Sequence, residues 1–253
     1  MKNIRIIPRL DIKGPNVVKP VYTEALRIVG NPIELAQRYY NGGADEIIYM
    51  DIVASLYQRN LDFDLLKSVA ENIFIPLTVG GGIRTIYDIN NALRSGADKV
   101  AINTYAVHYP EFIFEAVKEF GSQSIVLSIE AKKQSDGTWE AYTDGGRERS
   151  GMDAVKWAKK AIELGAGELM ITSIDRDGTM CGYELDLIKK IADFANIPVI
   201  VYGGAGNPKS VLKVIKEGKA DAVSAASIFH YNNFLISDIK KYLKNSDINV
   251  RLA

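Results

Sequence analysis

The amino-acid sequence predicts an α/β protein whose strands and helices close into a (β/α)8 barrel. Short runs rich in β-branched residues alternate with amphipathic helical stretches along all 253 residues, and eight such units are present. Eight units in about 250 residues is the number that this barrel requires. The second half of the chain also repeats the pattern of the first, which favours two (β/α)4 halves.

The eight predicted strands are the apolar runs between turn signals, and they cover residues 4–11, 46–51, 75–79, 99–103, 125–130, 168–173, 197–202 and 221–225. An open, doubly wound sheet has the same alternation of strands and helices. The strand pattern by itself therefore leaves that second arrangement open.

Capping signals place helices between these strands. The predicted starts are Asn31-Pro32, Thr85 with Asp88, Ser150 with Asp153, and Asn207-Pro208. Asn, Ser and Thr suit an N-cap, and proline suits the first helical position. The predicted ends are the glycines at 42–43, 96, 165 and 218.

An internal repeat favours the closed barrel over the open sheet. Residues 10–13, 43–47 and 75–79 correspond to residues 129–132, 165–169 and 197–201, with a spacing of about 120 residues. Two such halves, related by a pseudo-twofold axis, close naturally. No low-complexity stretch or charge run interrupts them, so residues 1–253 are predicted to form a single domain.

Composition excludes several classes of protein. Lys plus Arg and Asp plus Glu both total 31, which argues against a nucleic-acid binder that works through bulk charge. One cysteine cannot form an internal disulfide, and no Cys/His cluster suggests a metal site. No apolar stretch approaches 18 residues, so we expect a soluble, cytoplasmic protein without membrane contact.

Two glycine-rich loops predict phosphate sites at the carboxyl ends of the strands. Gly80-Gly81-Gly82 follows the third strand and Gly203-Gly204-Ala205-Gly206 follows the seventh, while Asn103-Thr104 and Ala226-Ser227 end the neighbouring strands. Glycine allows backbone N–H groups to approach an anion closely, although it often serves only to make a turn. Cradles at equivalent positions of a repeat suit an elongated substrate with a phosphate at each end.

Polar strand ends between the two loops could carry chemistry. The repeat places Asp11 and Glu130 at the ends of strands 1 and 5, where paired acids can divide acid and base roles; a loop-bracing carboxylate is the alternative for Asp11. Asp51, Thr172 and Asp177 also lie at strand ends. Lys19, in the long first loop, could close over an anion as part of a lid, or could simply be exposed.

Four charges lie at the opposite ends of the strands: Arg5, Glu46, Lys99 and Glu168. Two cations and two anions could form a closed ion-paired ring at the barrel floor, either as a structural plug or as a gate. In contrast, Cys181, His108 and His230 have no partners at catalytic spacing and are predicted to be structural or surface residues.

Several motifs together resemble a known family. They are Ile7-Pro8-Arg9-Leu10-Asp11, Asp51-Ile52-Val53-Ala54-Ser55, residues 78–83, 97–104, 172–179 and 203–206, and Asn249-Val250-Arg251-Leu252. Over essentially the whole chain they are similar to HisF, the cyclase subunit of imidazole glycerol phosphate synthase. The sister isomerase HisA shares the repeat and the phosphate loops, but its first strand and C-terminal segment match less well.

This resemblance implies a TIM barrel that pairs with a HisH-like glutaminase at the N-terminal face of the barrel. Ammonia from glutamine would cross the barrel and react with a ribulosyl bis-phosphate intermediate of histidine biosynthesis. The products would be imidazole glycerol phosphate and an aminoimidazole carboxamide ribotide. The resemblance implies a lyase-type cyclase without metal or organic cofactor.

The resemblance also assigns roles to residues of this chain. Asp11 and Glu130 would be the catalytic acids, and Arg5, Glu46, Lys99 and Glu168 the ammonia gate. Together with the glycine-rich loops, the predicted substrate- and phosphate-binding residues are Lys19, Asp51, Gly81, Gly82, Asn103, Thr104, Thr172, Asp177, Gly178, Gly203, Gly204, Ala226 and Ser227.

Five positions depart from the family pattern, and two of them are Pro20, which replaces Gly in the lid, and Gly145, which replaces Ser in the loop after strand 5. Glu130 stands where the family has Asp, Arg9 where it has Cys, and Tyr202 where it has Ser. Arg9 should point to the same side as Asp11, where its charge would stabilise the ionised acid. A second hypothesis is therefore a HisF-like protein that docks a glutaminase and passes ammonia to a separate amidotransferase in surface-sugar biosynthesis. The cyclase hypothesis explains more residues, and a HisA-like isomerase is a third.

Overall fold

The structure, a computed structural model, describes residues 3–21 and 24–252, and it describes side chains at those positions except 20, 21, 24 and 25. The strands are β1 (Arg5–Lys13), β2 (Asn16–Val21), β3 (Glu24–Gly30), β4 (Ile47–Asp51), β5 (Leu77–Gly80), β6 (Lys99–Ile102), β7 (Ile125–Lys133), β8 (Trp139–Thr143), β9 (Glu148–Asp153), β10 (Glu168–Ser173), β11 (Val199–Tyr202) and β12 (Ala222–Ala225).

Eight of these strands form a closed parallel barrel. The order around it is β1, β4, β5, β6, β7, β10, β11 and β12, and β12 pairs with β1 through Arg5↔Ala222 and three further positions. Because an open sheet would leave two edges unpaired, this closure decides between the two arrangements that the strand pattern allowed. The predicted (β/α)8 barrel is confirmed.

Helices lie between the strands and cover the outside of the barrel. They are α1 (Pro32–Asn41), α2 (Phe63–Ala70), α3 (Ile86–Arg94), α4 (Thr104–His108), α5 (Glu111–Phe120), α6 (Ala154–Glu163), α7 (Leu185–Ala192), α8 (Pro208–Lys216), α9 (Ser227–His230) and α10 (Ile236–Lys244), with a 3-10 turn at Ser122–Ser124. Within the described ranges, no helix has the length and apolar character needed to cross a membrane.

Most of the predicted helix starts are confirmed. Asn31 accepts hydrogen bonds from two backbone N–H groups of α1, and capping boxes begin α3 at Thr85 and α8 at Asn207. The prediction that Ser150 starts a helix is wrong. Ser150 lies in β9, and the side chain of Asp153 caps α6 instead, because β9 continues to that residue.

Two β-hairpins were not predicted, and they occupy corresponding places in the two halves. β2 and β3 extend from β1, with Asp11 paired to Val18, while β8 and β9 extend from β7, with Glu130 paired to Tyr142. The first hairpin occupies what the sequence indicated as a long loop. Each predicted acid therefore lies where a barrel strand continues into a hairpin above the barrel mouth.

The core has two layers, as expected for strands whose side chains alternate between faces. A small inner cluster fills the barrel, formed by Ile7, Ile48, Met50, Ala101, Val126, Met170, Ile200 and Ala222. A larger outer cluster packs the opposite strand faces against the helices. Alternation along β1 consequently directs Ile7, Arg9 and Asp11 inward, with the polar pair nearest the mouth.

Candidate functional site

The carboxyl ends of the strands form a mouth with one open and one closed half. The open half is a cavity of about 550 Å³, and most of its lining comes from the first half of the chain and the β8–β9 loop. The predicted site residues in this lining are Asp51, Gly81, Gly82, Asn103, Thr104 and Glu130. We call this space the open cavity.

The first glycine-rich loop needs glycine at the edge of the open cavity. Gly81 has φ +105°, and a Cβ there would lie 2.2 Å from the carbonyl oxygen of Asp51. Neither the conformation nor the space admits a side chain. The loop can therefore pass directly beside the end of β4, and its backbone remains accessible from the cavity.

Polar groups at the neighbouring strand ends hold one another in place. Asp51 is paired with Arg59 at 2.7 Å and accepts a hydrogen bond from the backbone N–H of Val53. Thr104 Oγ1 accepts from the backbone N–H of Asp144 at 3.0 Å. Burial outweighs these partners and raises the pKa of Asp51 above its usual range.

Glu130 is the predicted catalytic acid that faces the open cavity. Its carboxylate accepts a hydrogen bond from Asn103 Nδ2 at 3.1 Å, and the same amide donates to the carbonyl oxygen of Tyr142. Burial, together with the charges of Asp11 and Asp177, raises the pKa of Glu130 to about 7, against the opposing charge of Arg9. A carboxyl group with this pKa can donate or accept a proton near neutral pH.

Asp11, the other predicted acid, lies in the closed half and is fully buried. Arg9 Nε donates to Asp11 Oδ1 at 2.6 Å, and the Tyr202 hydroxyl donates to Oδ2 at 3.2 Å. Burial by itself would raise the pKa of Asp11, but the charges of Arg9 and Lys19 outweigh it and hold that pKa below its usual range. The sequence-based expectation that Arg9 stabilises ionised Asp11 agrees with this geometry.

Lys19 reaches into the closed half from the β2–β3 hairpin and is only 2% exposed. Its Nζ lies 2.8 Å from Asp177 Oδ1, 2.9 Å from the Tyr202 hydroxyl and 3.5 Å from Asp11 Oδ2. The alternative that Lys19 is simply exposed is wrong, since its side chain is buried and its ammonium pairs with carboxylates of this chain. The β2–β3 hairpin holds Lys19 as a buried counter-ion of Asp177 and Asp11.

The second glycine-rich loop has no comparable space beside it. Gly178, Gly203, Gly204, Ala226 and Ser227 line a cavity of about 10 Å³, room for about one water molecule. Gly204 has φ +105°, and a Cβ there would lie 2.2 Å from the carbonyl oxygen of Gly182. The loop packs closely against the segment after β10, so a phosphate fits only after a rearrangement.

Arg9 and Tyr202 separate the two halves. The Arg9 guanidinium lies 4.2 Å from the centre of the Tyr202 ring, and both side chains are buried. Arg9 Nη1, Asn103 Oδ1 and Thr172 Oγ1 are buried without a hydrogen-bond partner among the described residues. Thr172, predicted to contact substrate, lies at the buried end of β10 and lines neither of the two mouth cavities.

The four charges at the barrel floor form the predicted ring. Arg5 pairs with Glu46 at 2.6 Å and with Glu168, and Lys99 pairs with Glu46 at 2.7 Å and with Glu168 at 2.8 Å. Each of the two cations thus contacts both carboxylates, and this pairing compensates for the partial burial of all four charges. The inner apolar cluster separates this ring from Arg9.

Some residues of the open cavity escaped the sequence analysis. His108, predicted to be structural or on the surface, lines the cavity together with Tyr105, Tyr109 and Arg84. For Tyr105, His108 and Tyr109, the available signal was their position at and after the start of α4, directly behind Asn103-Thr104. For Arg84 it was the position just after the first glycine-rich loop. His230 is buried with Nδ1 2.5 Å from the Tyr39 hydroxyl, and burial lowers its pKa to about 4. Across residues 3–21 and 24–252, no three His, Cys, Asp or Glu side chains are arranged to hold a metal ion.

Comparison with known proteins gives a consistent result along the chain. The family model described as histidine biosynthesis protein matches residues 5–235. The protein named imidazole glycerol phosphate synthase subunit HisF from Dehalococcoides mccartyi is 48% identical over 252 residues, covering 100% of this chain and 99% of that protein. The protein of the same name from Alkaliphilus metalliredigens is 47% identical over 247 residues, covering 98% of each chain.

Proposed function

Because this chain belongs to the HisF family of histidine-biosynthesis proteins, we propose that it is the cyclase subunit of an imidazole glycerol phosphate synthase. The observation that carries the proposal is the 48% identity to a HisF protein over 252 residues, which cover 100% of this chain and 99% of that protein. The reaction would join ammonia to a ribulosyl bis-phosphate and yield imidazole glycerol phosphate and an aminoimidazole carboxamide ribotide, which makes the enzyme a lyase.

The open cavity is the proposed site for one end of this substrate. Gly81, Gly82, Asn103 and Thr104 surround the space where a phosphate would bind, and Glu130 lies beside it. The second phosphate would need the loop at Gly203-Gly204, where Lys19 is held by Asp177 and Tyr202. We propose that substrate binding draws Lys19 from these partners onto the phosphate, which opens the closed half.

A glutaminase of the HisH type is the proposed partner at the amino ends of the strands. The floor ring of Arg5, Glu46, Lys99 and Glu168 lies at this face and would be the ammonia gate. Phe74, just before β5, is 82% exposed and stacks edge-to-face on Tyr40 with ring centres 5.9 Å apart. Phe74 is thus an exposed aromatic side chain at the amino ends of the strands, which supports a protein–protein contact at this face.

The two alternative functions receive less support. Both relatives carry the HisF name, and neither relative favours a role in surface-sugar amidation or an isomerase of the HisA type.

The test supplies the purified chain with the ribulosyl bis-phosphate intermediate and excess ammonium salt and follows consumption of that intermediate. We expect turnover without any partner, since ammonium replaces the glutaminase product. A HisF relative of established activity, assayed in parallel, controls for the substrate preparation. Absence of turnover by the folded chain, with the control active, would reject the cyclase assignment.

A further inference from the structure

Three ring side chains from α4 and the residue after it line the open cavity next to the proposed phosphate position. Tyr105, His108 and Tyr109 follow directly on Asn103 and Thr104 in the sequence, and all five residues line the same cavity. Residues three and four positions apart lie on one face of a helix. The chain after β6 therefore presents polar groups and aromatic rings to one space.

The two tyrosine rings are supported on one side and uncovered on the other. The Tyr105 ring packs edge-to-face on the Phe112 ring with centres 4.8 Å apart, and its centre lies 4.9 Å from that of the Tyr109 ring. Tyr105 is half-buried, whereas Tyr109 is 61% exposed. Packing on α5 thus fixes Tyr105, which supports Tyr109, and the uncovered surface of Tyr109 is available to a ligand of the cavity.

The open cavity has the size and lining of a site for a small ligand with a planar ring. Its volume of about 550 Å³ is typical of small-molecule sites, which combine apolar or aromatic walls with a few polar groups. Planar rings pack favourably on one another in offset or edge-to-face arrangements. A tyrosine next to a phosphate position should therefore favour a phosphate ester that carries a ring over one that does not.

We propose that Tyr109, positioned by Tyr105, is a specificity-determining residue that contacts a five-membered nitrogen ring joined to a phosphate through a short polar chain. The inference rests on the proposed function, in which both products have this chemistry: imidazole glycerol phosphate and the aminoimidazole carboxamide ribotide. His108 adds ring nitrogens that can donate or accept a hydrogen bond at the same wall.

The test measures binding to the full chain by isothermal titration calorimetry with two matched pairs of probes. Imidazole glycerol phosphate is paired with glycerol phosphate, and the aminoimidazole carboxamide ribotide with ribose phosphate, so that one member of each pair lacks the ring. At least one ring-bearing probe should bind about 5-fold or more tightly than its partner. The pair that shows this preference identifies the end of the substrate that occupies the open cavity. Equal affinities within both pairs, or no binding of any probe, would overturn the inference.

Tyr109→Leu and Tyr87→Leu form a matched pair of variants. Tyr87, on α3, is 70% exposed and is absent from the cavity lining. Tyr109→Leu should abolish the preference for the ring-bearing probe without changing the affinity for its ring-free partner, and Tyr109→Phe should retain the preference because the ring remains. Tyr87→Leu should change neither affinity. A preference that survives Tyr109→Leu, or that Tyr87→Leu or Tyr109→Phe also abolishes, would reject the ring contact.

A spectroscopic measurement shows the contact directly. In the chain labelled with ¹³C in its tyrosine rings, the signal that Tyr109→Leu removes belongs to Tyr109. Saturation with the preferred ring-bearing probe should shift this signal through the ring current of the ligand, and the ring-free partner should not reproduce the shift. An unmoved Tyr109 signal would contradict the inference.

Turnover distinguishes a failure of this inference from a failure of the proposed function. The preferred ring-bearing product should inhibit turnover of the ribulosyl bis-phosphate, and Tyr109→Leu should weaken that inhibition by about 5-fold. A chain without turnover that still prefers the ring-bearing probe would reject the cyclase and retain the ring contact. Turnover whose inhibition is unchanged in Tyr109→Leu would retain the cyclase and reject the ring contact.

Discussion

The open and closed halves of the barrel mouth derive from the same repeat, but different groups surround the acid in each half. In the closed half, Arg9, Lys19 and Tyr202 surround Asp11, and no space remains beside it. In the open half, Glu130 has a neutral amide donor and faces a cavity of about 550 Å³. Equivalent strand positions therefore carry an acid paired with two cations in one half and an acid beside open space in the other.

The hairpins after β1 and β7 account for much of this difference. The β2–β3 hairpin inserts Lys19 into the mouth, whereas the β8–β9 hairpin contributes the Tyr142 carbonyl and Asp144 at the cavity wall. The long side chain of Lys19 fills the closed half of the mouth and pairs with Asp11 and Asp177. The side chains on the strand extensions, more than those at the strand ends themselves, therefore distinguish the two halves.

The largest expected effect is a difference in stability loss between replacing Arg9, a cation of the closed half, and replacing Arg59, a cation of the open half. Arg9→Met leaves the buried Asp11 with Lys19 as its main cation, and we expect the free energy of unfolding to fall by about 3–5 kcal/mol. Arg59→Met removes a partly exposed cation from Asp51 and should cost less than about 1 kcal/mol. Urea unfolding at pH 7 measures both. Equal losses would show that the closed half is no more dependent on charge pairing than the open half.

Replacing the two acids should change stability in opposite directions at pH 8. The folded-state pKa of Glu130 is raised from 4.5 to about 7, so its contribution is complete below 4.5 and is lost as pH rises to about 7. Glu130→Gln should therefore raise the free energy of unfolding at pH 8 by up to about 3 kcal/mol, with no gain near pH 4. The measurement is urea unfolding at both pH values.

Asp11→Asn provides the comparison for that measurement. The pKa of Asp11 is lowered in the folded chain, so its contribution is present above the unfolded pKa and is lost as pH falls through the folded one. This variant should destabilise the chain at pH 8, because Arg9 and Lys19 lose their shared anion. A stabilising Asp11→Asn would refute the difference between the halves.

The smallest expected effect concerns the hydroxyl of Tyr202. Tyr202→Phe retains the ring beneath Arg9 but removes the hydrogen bonds to Asp11 and Lys19, and should cost about 1–2 kcal/mol in thermal or urea unfolding. Tyr105→Phe at the open cavity is the matched control, with an expected change within about 0.5 kcal/mol. A loss no larger than in this control would mean that the hydroxyl does not secure the closed half.

The barrel could be predicted because its signals are local and periodic. All eight predicted strands are present, one with its predicted bounds (Glu168–Ser173) and seven with at least one shifted end. Asn31, Thr85 and Asn207 cap the helices that they were predicted to start. The hairpins were missed because residues 12–30 and 134–153 carry turn signals without a clear alternating pattern. Lys19 could be selected as a candidate, but its buried partners lie 158 and 183 residues away in the chain.

By itself the sequence determined the alternation of strands and helices, the repeat, the glycine-rich loops and the inward direction of Arg9 and Asp11, since each depends on neighbouring residues and on strand periodicity. Only the tertiary structure decided that the sheet closes, that the floor charges form a ring, and that the mouth has one open and one closed half. The reason is physical: pairing, burial and space arise from residues that are distant in sequence, and these contacts exist only after the barrel has brought the strands together.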